Sequence, residues 1–231
     1  MRAFDHDSDP TAWRSGRLAG VDEAGVGPLA GPVVAAAVIL PADFELTALY
    51  DSKRLTAAER RRCEAAVRAA AVDFAVSWVS PRRIDRVNIL NATLRAQRRA
   101  LEQLRVRPWT ILVDGNRSPE LPPSWRSRLR TVVAGDRSSL AIAAASVLAK
   151  STRDRSMLRL DRRYPGYGFA QHKGYATAAH RDAVRRLGLS PVHRRSFCGW
   201  LREEAELARQ MQLPWEVGAS DPGRLVSPRP A

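Results

Sequence analysis

Leu18-Ala-Gly-Val-Asp-Glu-Ala-Gly-Val-Gly-Pro-Leu-Ala-Gly-Pro-Val33 is an apolar run that brings two adjacent carboxylates, Asp22 and Glu23, to a point where the chain breaks into glycines. A strand ending in acid, followed by a loop whose glycines let backbone amides approach a ligand, is a recurrent way to hold a divalent cation beside a phosphate. Outward from this stretch, Val33–Leu40 is closed off by Pro32 and Pro41 and is short and continuously apolar, which suits a strand covered on both faces. The Gly31-Pro32 corner turns it back on Leu18–Ala24 as a hairpin-like pair. Two later stretches repeat the device. Trp109–Val113 runs into Asp114-Gly115, and Leu129–Val133 runs into Gly135-Asp136. Adjacent strand residues point to opposite faces, so Asp22 and Glu23 share a site only if the strand twists or bulges there.

The intervening segments read as helices. Thr56 is a plausible N-cap for a charged helix over Ala57–Ala71, and Ala75–Val79 follows as a third strand. Ile84–Leu104 places its leucines and isoleucines at helical spacing among many arginines, which predicts one long amphipathic helix with a basic outer face. From Ser139 to about Arg159 the chain is so rich in alanine that its helix should pack closely on the sheet. Helices over Ala178–Leu187 and Cys198–Met211 flank an irregular basic stretch, Leu189–Phe197. A hairpin followed by alternating strands and helices predicts an α/β fold, a mixed sheet flanked by helices with a C-terminal helical extension. The expected organisation is a flexible arm over 1–16, one domain over 17–211 and a disordered tail over 212–231, where Pro, Gly and Ser accumulate.

The 231 residues carry 38 Lys+Arg against 24 Asp+Glu, a formal charge of +14, which is the footprint of a polyanionic partner. Only Lys53, Lys150 and Lys173 are lysines; a compositional bias explains arginine over lysine but not the excess over acid. Cys63 and Cys198 have no Cys or His neighbour at metal-ligand spacing, so neither a disulfide framework nor a zinc site is suggested. The acidic N-terminus lacks an apolar signal core and the longest apolar run is far short of a membrane span, so a soluble, cytoplasmic protein is expected.

Taken singly, Asp114 reads as an Asp-Gly turn residue and Asp136 as a helix N-cap. Jointly, Asp22, Glu23, Asp114 and Asp136 can converge at one end of the sheet, where like charges without a cation would repel one another. A four-carboxylate cluster asks for two divalent metals, one to activate a water and one to stabilise the leaving oxygen of an in-line phosphodiester displacement.

The stretch Asp22–Pro32, with Asp51-Ser-Lys53, Val113-Asp-Gly115, Gly135-Asp136, Ala144–Lys150, Lys173-Gly-Tyr175 and His193-Arg-Arg-Ser-Phe197, resembles bacterial ribonuclease HII from about Arg17 to Trp200. The resemblance implies a ribonuclease H-like fold. It also implies an enzyme that cuts RNA in RNA–DNA hybrids and at a lone ribonucleotide within duplex DNA, leaving a 3′-hydroxyl and a 5′-phosphate. By the same resemblance, Asp22, Glu23, Asp114 and Asp136 are the metal-binding acids for Mg²⁺ or Mn²⁺, with no organic cofactor. Gly25, Val26 and Gly27 correspond to the loop that reads the ribose 2′-hydroxyl largely through main-chain groups, and Tyr175 to the tyrosine that packs under the sugar at the RNA-to-DNA step. The family typically has Gly-Arg-Gly in that loop, where this chain has Val26. A β-branched residue is strained at positive φ, so Val26 is expected at ordinary angles with the special ones left to its glycine neighbours.

Lys53 and Lys150 read either as phosphate contacts or as solvated surface lysines, and His193 as a structural hydrogen-bonder. Gln210-Met-Gln-Leu-Pro-Trp215 looks like a degenerate sliding-clamp-binding peptide of the Gln-x-x-Leu type. Two rival readings stand beside the nuclease. Asp22-x-x-Gly25-x-Gly27 bears a faint likeness to the phosphate loop of actin-like phosphotransferases, and the basic charge together with Val26 would also suit a non-catalytic hybrid-binding protein.

Overall fold

The computed structural model describes residues 17–44 and 56–212. Lys53, the arm over 1–16 and residues 213–215 of the clamp-like peptide lie outside the described residues. Strands β1 (Leu18–Ala24), β2 (Val33–Ile39), β3 (Asp73–Val79), β4 (Thr110–Asp114) and β5 (Leu129–Val132) form one sheet in the order β3-β2-β1-β4-β5. The hairpin predicted around the glycine loop is present, because β1 and β2 pair antiparallel with Glu23 opposite Ala35. β3 extends the sheet antiparallel to β2, and β4 and β5 extend it parallel on the other side.

Burial explains the continuous apolar character of β2. Its alternate residues Ala36 and Val38 pack with helix α1 (Ala57–Ala70) and helix α5 (Leu140–Arg163) on one face of the sheet. Ala37 and Ile39 pack on the other, with Ala100 and Leu101 of helix α3 (Ile89–Glu102). The alanines of α5 allow that helix to lie directly on β1. A Cβ placed on Gly20 would stand 2.1 Å from the Ala141 carbonyl carbon, so only glycine tolerates this helix-to-strand approach. Thr56 caps α1 as expected, in a reciprocal arrangement with Glu59, and Ser139 caps α5.

The long helix predicted over Ile84–Leu104 is two helices. Helix α2 (Pro81–Val87) stops at Asn88, whose φ of 63° is left-handed, and the Asn88 side chain then accepts the Asn91 N–H to start α3. That φ is paired with an extended ψ of 168°, which ends α2, and asparagine is a favoured N-cap, so one residue both ends a helix and begins the next. The alanine-rich helix runs to Arg163, one turn beyond its predicted end.

The sequence after β5 also departs from expectation. Asp136 is neither on a strand end nor the cap of α5. The chain passes through a left-handed Ala134 (φ 55°) into a 3-10 turn, Gly135–Arg137, which carries Asp136. Two short helices, α4 (Pro123–Arg126) and α6 (Phe169–His172), precede and follow this region, and α7 (Ala178–Leu187) follows α6. One compact unit ends at Phe197; the second begins at Cys198 and contains helix α8 (Trp200–Gln212). Among the described residues no helix is long and apolar enough to cross a membrane.

Candidate active site

β1 and β4 are adjacent and parallel, and Asp22 and Asp114 each follow the last registered pair, Val21 and Val113. Two carboxylates therefore arrive side by side at the carboxyl end of the central strands. Glu23 is the next residue of β1 and stays in regular register with Ala35, so no bulge turns it toward Asp22. The pair instead straddles the sheet. Asp22 is hydrogen-bonded to Ser146 of α5 on one face, and Glu23 accepts the Gln97 amide of α3 at 2.8 Å on the other. Both acids lie past the end of the β1–β4 register, and although they leave β1 on opposite faces each feels the charge of Asp114, so they come within reach of one another without a bulge.

Asp22 is only 6 % exposed, and burial, followed by the negative charges of Glu23 and Asp114, raises its pKa well above the ordinary aspartate value. The Ser146 hydrogen bond and the Glu23 N–H, at 2.7 Å from Asp22 Oδ1, oppose that rise. Burial also raises Glu23, with Asp114 adding to it and Gln97 opposing. Asp114 Oδ1 accepts the Gly135 N–H at 2.7 Å, which ties β4 to the turn bearing the buried Asp136. The structure thus brings Asp22, Glu23 and Asp114 within electrostatic reach of one another and places Asp136 next to the residue that holds Asp114. Among the described residues no lysine or arginine pairs with Asp22 or Glu23, in a chain of net charge +14. Nor do three acidic, histidine or cysteine side chains among them stand in the arrangement of a ready-made metal cage. The donor set, carboxylate oxygens of which those of Asp22 and Glu23 meet no lysine or arginine among the described residues, fits a hard divalent cation.

The glycine loop is held by two arginines that sequence reasoning passed over. Arg194 is fully buried; its Nη2 donates to the Gly25 carbonyl at 2.6 Å, Nη1 to that of Val26 at 2.7 Å and Nε to that of Gly31 at 3.0 Å. Burial, reinforced by Arg153, pushes its guanidinium down to about 9, which leaves it charged at neutral pH. Arg153 donates from Nε to the Pro32 carbonyl and from Nη2 to those of Ala30 and Lys173, and its guanidinium lies 5.7 Å from the Tyr175 ring centroid. Gly25 has φ 91°, and a Cβ there would stand 2.0 Å from Arg153 Nε, so this glycine is required twice over. Val26 has ordinary backbone angles, as expected, but so does Gly27: the left-handed conformation belongs to Gly25 alone. The N–H groups of Val26 and Gly27 have no partner among the described residues.

Tyr175 is 46 % exposed, which is unlike a core tyrosine. Its segment is bonded to the glycine loop through Leu29 N–H to the Gly174 carbonyl, 2.8 Å. Three histidines pack behind it. His180 Nδ1 lies 2.9 Å from the Tyr175 carbonyl, His180 Nε2 is 3.1 Å from His193 Nε2, and Ser190 donates its N–H to His193 Nδ1. His193 is therefore a structural hydrogen-bonder, and burial pulls its pKa to about 4, so it is neutral at physiological pH. Lys150 is half-buried, and burial, with Arg60, Arg153 and Lys173, lowers its pKa against the opposing charge of Asp154.

Of the residues missed, Arg194 lies within the quoted His193-Arg-Arg-Ser motif and Ser146 within Ala144–Lys150, whereas nothing local marks Arg153 or Gln97. The family model for ribonuclease HII matches residues 19–200. The chain belongs to the ribonuclease HII family. As a type 2 ribonuclease H it is an endonuclease acting on phosphodiesters, which removes the phosphotransferase and non-catalytic readings. It is 51 % identical over 181 residues to the ribonuclease HII of Dichelobacter nodosus, covering 78 % of this chain and 93 % of the relative. Among solved structures it is similar to the ribonuclease H2 of Pyrococcus horikoshii OT3, with TM-score 0.66, 26 % identity and 82 % and 98 % of the two chains covered. It is also similar to the ribonuclease HII of Archaeoglobus fulgidus solved in complex with PCNA, with TM-score 0.63, 26 % identity and coverage of 77 % and 93 %.

Proposed function

We propose that this ribonuclease HII cuts the RNA strand of RNA–DNA hybrids and the phosphodiester at a single ribonucleotide in duplex DNA, leaving a 3′-hydroxyl and a 5′-phosphate. The observation that carries this reading is the gathering of Asp22, Glu23 and Asp114 at one strand end with no cation paired to the first two among the described residues. Asp22, Glu23, Asp114 and Asp136 would hold two Mg²⁺ or Mn²⁺ ions. Bound there, such ions supply the Lewis acidity that activates a water nucleophile and neutralises charge on the leaving oxygen. Gln97 and Ser146 orient Glu23 and Asp22 by hydrogen bonds, and Gly135 N–H orients Asp114.

Selection of the ribonucleotide falls to the loop and to Tyr175. With the Gly25 and Val26 carbonyls turned to Arg194, the N–H groups of Val26 and Gly27 remain for the 2′-hydroxyl, and no side chain of residue 26 is needed for that contact. Tyr175, backed by Arg153, offers a half-exposed aromatic face to the sugar. Lys53 and Lys150 serve the phosphate backbone in this reading. Residues 210–215 bind a sliding clamp, a partner of the kind the archaeal neighbour was solved with; deleting residues 208–231 should abolish clamp pull-down while leaving nuclease activity intact.

The test of the catalytic assignment is Asp22→Asn and, separately, Asp114→Asn on a labelled duplex containing one ribonucleotide, with Mg²⁺ or Mn²⁺. Cleavage should be lost while hybrid affinity stays within a few-fold, because affinity rests mainly on arginines meeting phosphates. Full activity in either variant removes that residue from the catalytic set.

A further inference from the structure

β3 is the edge strand of the sheet, and between it and α3 lies a groove of about 640 Å³. Ser77, Val79 and Ser80 line its strand side, Arg83 of α2 closes one end, and Arg95 and Arg99 of α3 form the opposite wall. Arg95 and Arg99 are four residues apart on one helix, which stacks their guanidinium stems at about 6 Å along the axis. All three arginines are exposed, and none makes an ion pair among the described residues. The acid in the groove, Glu102, is matched by Arg98 at 2.6 Å and does not offset them.

The position of the groove gives this charge a purpose. Glu23 pairs in register with Ala35, and Ala35 with Ser77, so the groove opens on the same end of the sheet as the catalytic acids. Two strand spacings separate Glu23 from Ser77, roughly 10 Å. The two hollows are also joined. Ile89 lines both the cleft of Glu23 and Asp114 and a middle hollow, and Arg95 lines both that middle hollow and the groove. A trough of three adjoining hollows therefore leads from the acidic cleft, through a middle hollow that holds Asp85 as well as Arg86 and Arg95, to the basic groove.

We infer that this trough, through Arg83, Arg95 and Arg99, seats the phosphate backbone of the substrate duplex beyond the point of cleavage. The inference rests on the proposed action on hybrid duplexes. A backbone laid there meets positive charge only after passing the acids, so the arginines hold the duplex arm without neutralising the carboxylates that await a metal. Sequence plays no part in such contacts, which fix register and supply salt-sensitive affinity.

The test uses the full chain with Asp22→Asn to block turnover. Hybrid binding is measured between about 50 and about 200 mM salt, where log K falls by roughly 0.9 per phosphate contact. The triple variant Arg83→Gln, Arg95→Gln, Arg99→Gln should flatten that slope by about 2 to 3. A charge-matched control, Arg61→Gln, Arg62→Gln, Arg159→Gln, lies on α1 and α5 on the opposite face and should change the slope by well under one contact's worth. With Asp22 restored, the groove variant should show its loss in KM rather than in kcat, and a thermal melt should match the parent because the three side chains are exposed and unpaired. A groove variant whose slope equals that of the parent, or shifts no more than the control, overturns the inference. If the parent itself shows no salt-dependent binding to hybrid, the underlying reading fails, an outcome distinct from failure of the groove alone.

Discussion

Arg194→Ala removes a buried cation that holds three carbonyls of the loop over residues 25–31. Gly25 and Gly31 are buried, so their carbonyls lose a partner that water does not readily replace, whereas Val26 is 40 % exposed and is rehydrated. An unsatisfied buried acceptor costs about 1–3 kcal/mol, and two of them with the vacated space amount to about 4 kcal/mol, a large share of the roughly 5–15 kcal/mol that stabilises a domain. Arg194→Lys keeps the charge but not the three-pronged geometry, and should cost about half as much. Denaturant titration measures both. The functional effect should concentrate where the 2′-hydroxyl is the only distinguishing group. Single-turnover cleavage of a duplex with one embedded ribonucleotide should fall further than cleavage of a long hybrid, and Arg194→Lys should recover part of the difference. If Arg194→Ala stays within about 1 kcal/mol of the parent and the ratio of the two rates does not move, the loop is not held by this residue and the reasoning fails.

Tyr175→Phe should be tolerated and Tyr175→Ala should hurt the single-ribonucleotide substrate most; equal losses on every substrate would make the ring a general packing element. Asp22 and Glu23 have raised pKa values, so the folded metal-free protein binds more protons than the unfolded chain. These acids therefore stabilise it least above their raised values, and its stability should fall as pH rises from the ordinary carboxylate range, 3.8 and 4.5, through those values. Mg²⁺ should reverse that fall, giving a larger rise in Tm at pH 8 than at pH 5 and a release of protons on binding; an equal rise at both would deny the acids a metal. Val26→Arg should change activity by no more than roughly 10- to 150-fold, the value of one charged hydrogen bond of about 1.5–3 kcal/mol, and should leave ribonucleotide selectivity in place. A parent inert on the single-ribonucleotide duplex beside an active Val26→Arg would refute recognition through the backbone.

The elements that were legible in the sequence are those whose signal is local. The apolar run Val33–Ile39, the Thr56 cap with Glu59 three residues on, and the acids closing Leu18–Val21 and Thr110–Val113 are each written in a few consecutive residues. The break at Asn88 was hidden because no glycine or proline marks it, and only the backbone angles of one residue separate the two helices. Asp136 was misplaced by a few residues because the left-handed Ala134 that turns the chain carries no glycine to announce it. Gln97 and Ser146 were out of reach for a different reason: they touch Glu23 and Asp22 only after α3 and α5 pack on opposite faces of the sheet.

The arginines show the same limit more sharply, because in this chain one residue type performs two opposed tasks. Arg153 and Arg194 are buried and spend their hydrogen bonds on main-chain carbonyls, tying the glycine loop, Pro32 and Lys173 together beside Tyr175. Arg83, Arg95 and Arg99 remain exposed and unpaired among the described residues. Composition reads all of them alike, as net positive charge. What separates them is the number of backbone acceptors within reach, and that number is fixed by the close packing of α5 on Gly20, which brings Arg153 under the loop, and by the antiparallel bridge of Ala30 with His193, which brings Arg194 there from the far end of the unit. The fold thus turns part of an undifferentiated basic charge into scaffolding for the loop, keeps it off the acids, and leaves the remainder facing solvent, where a phosphate backbone can meet it.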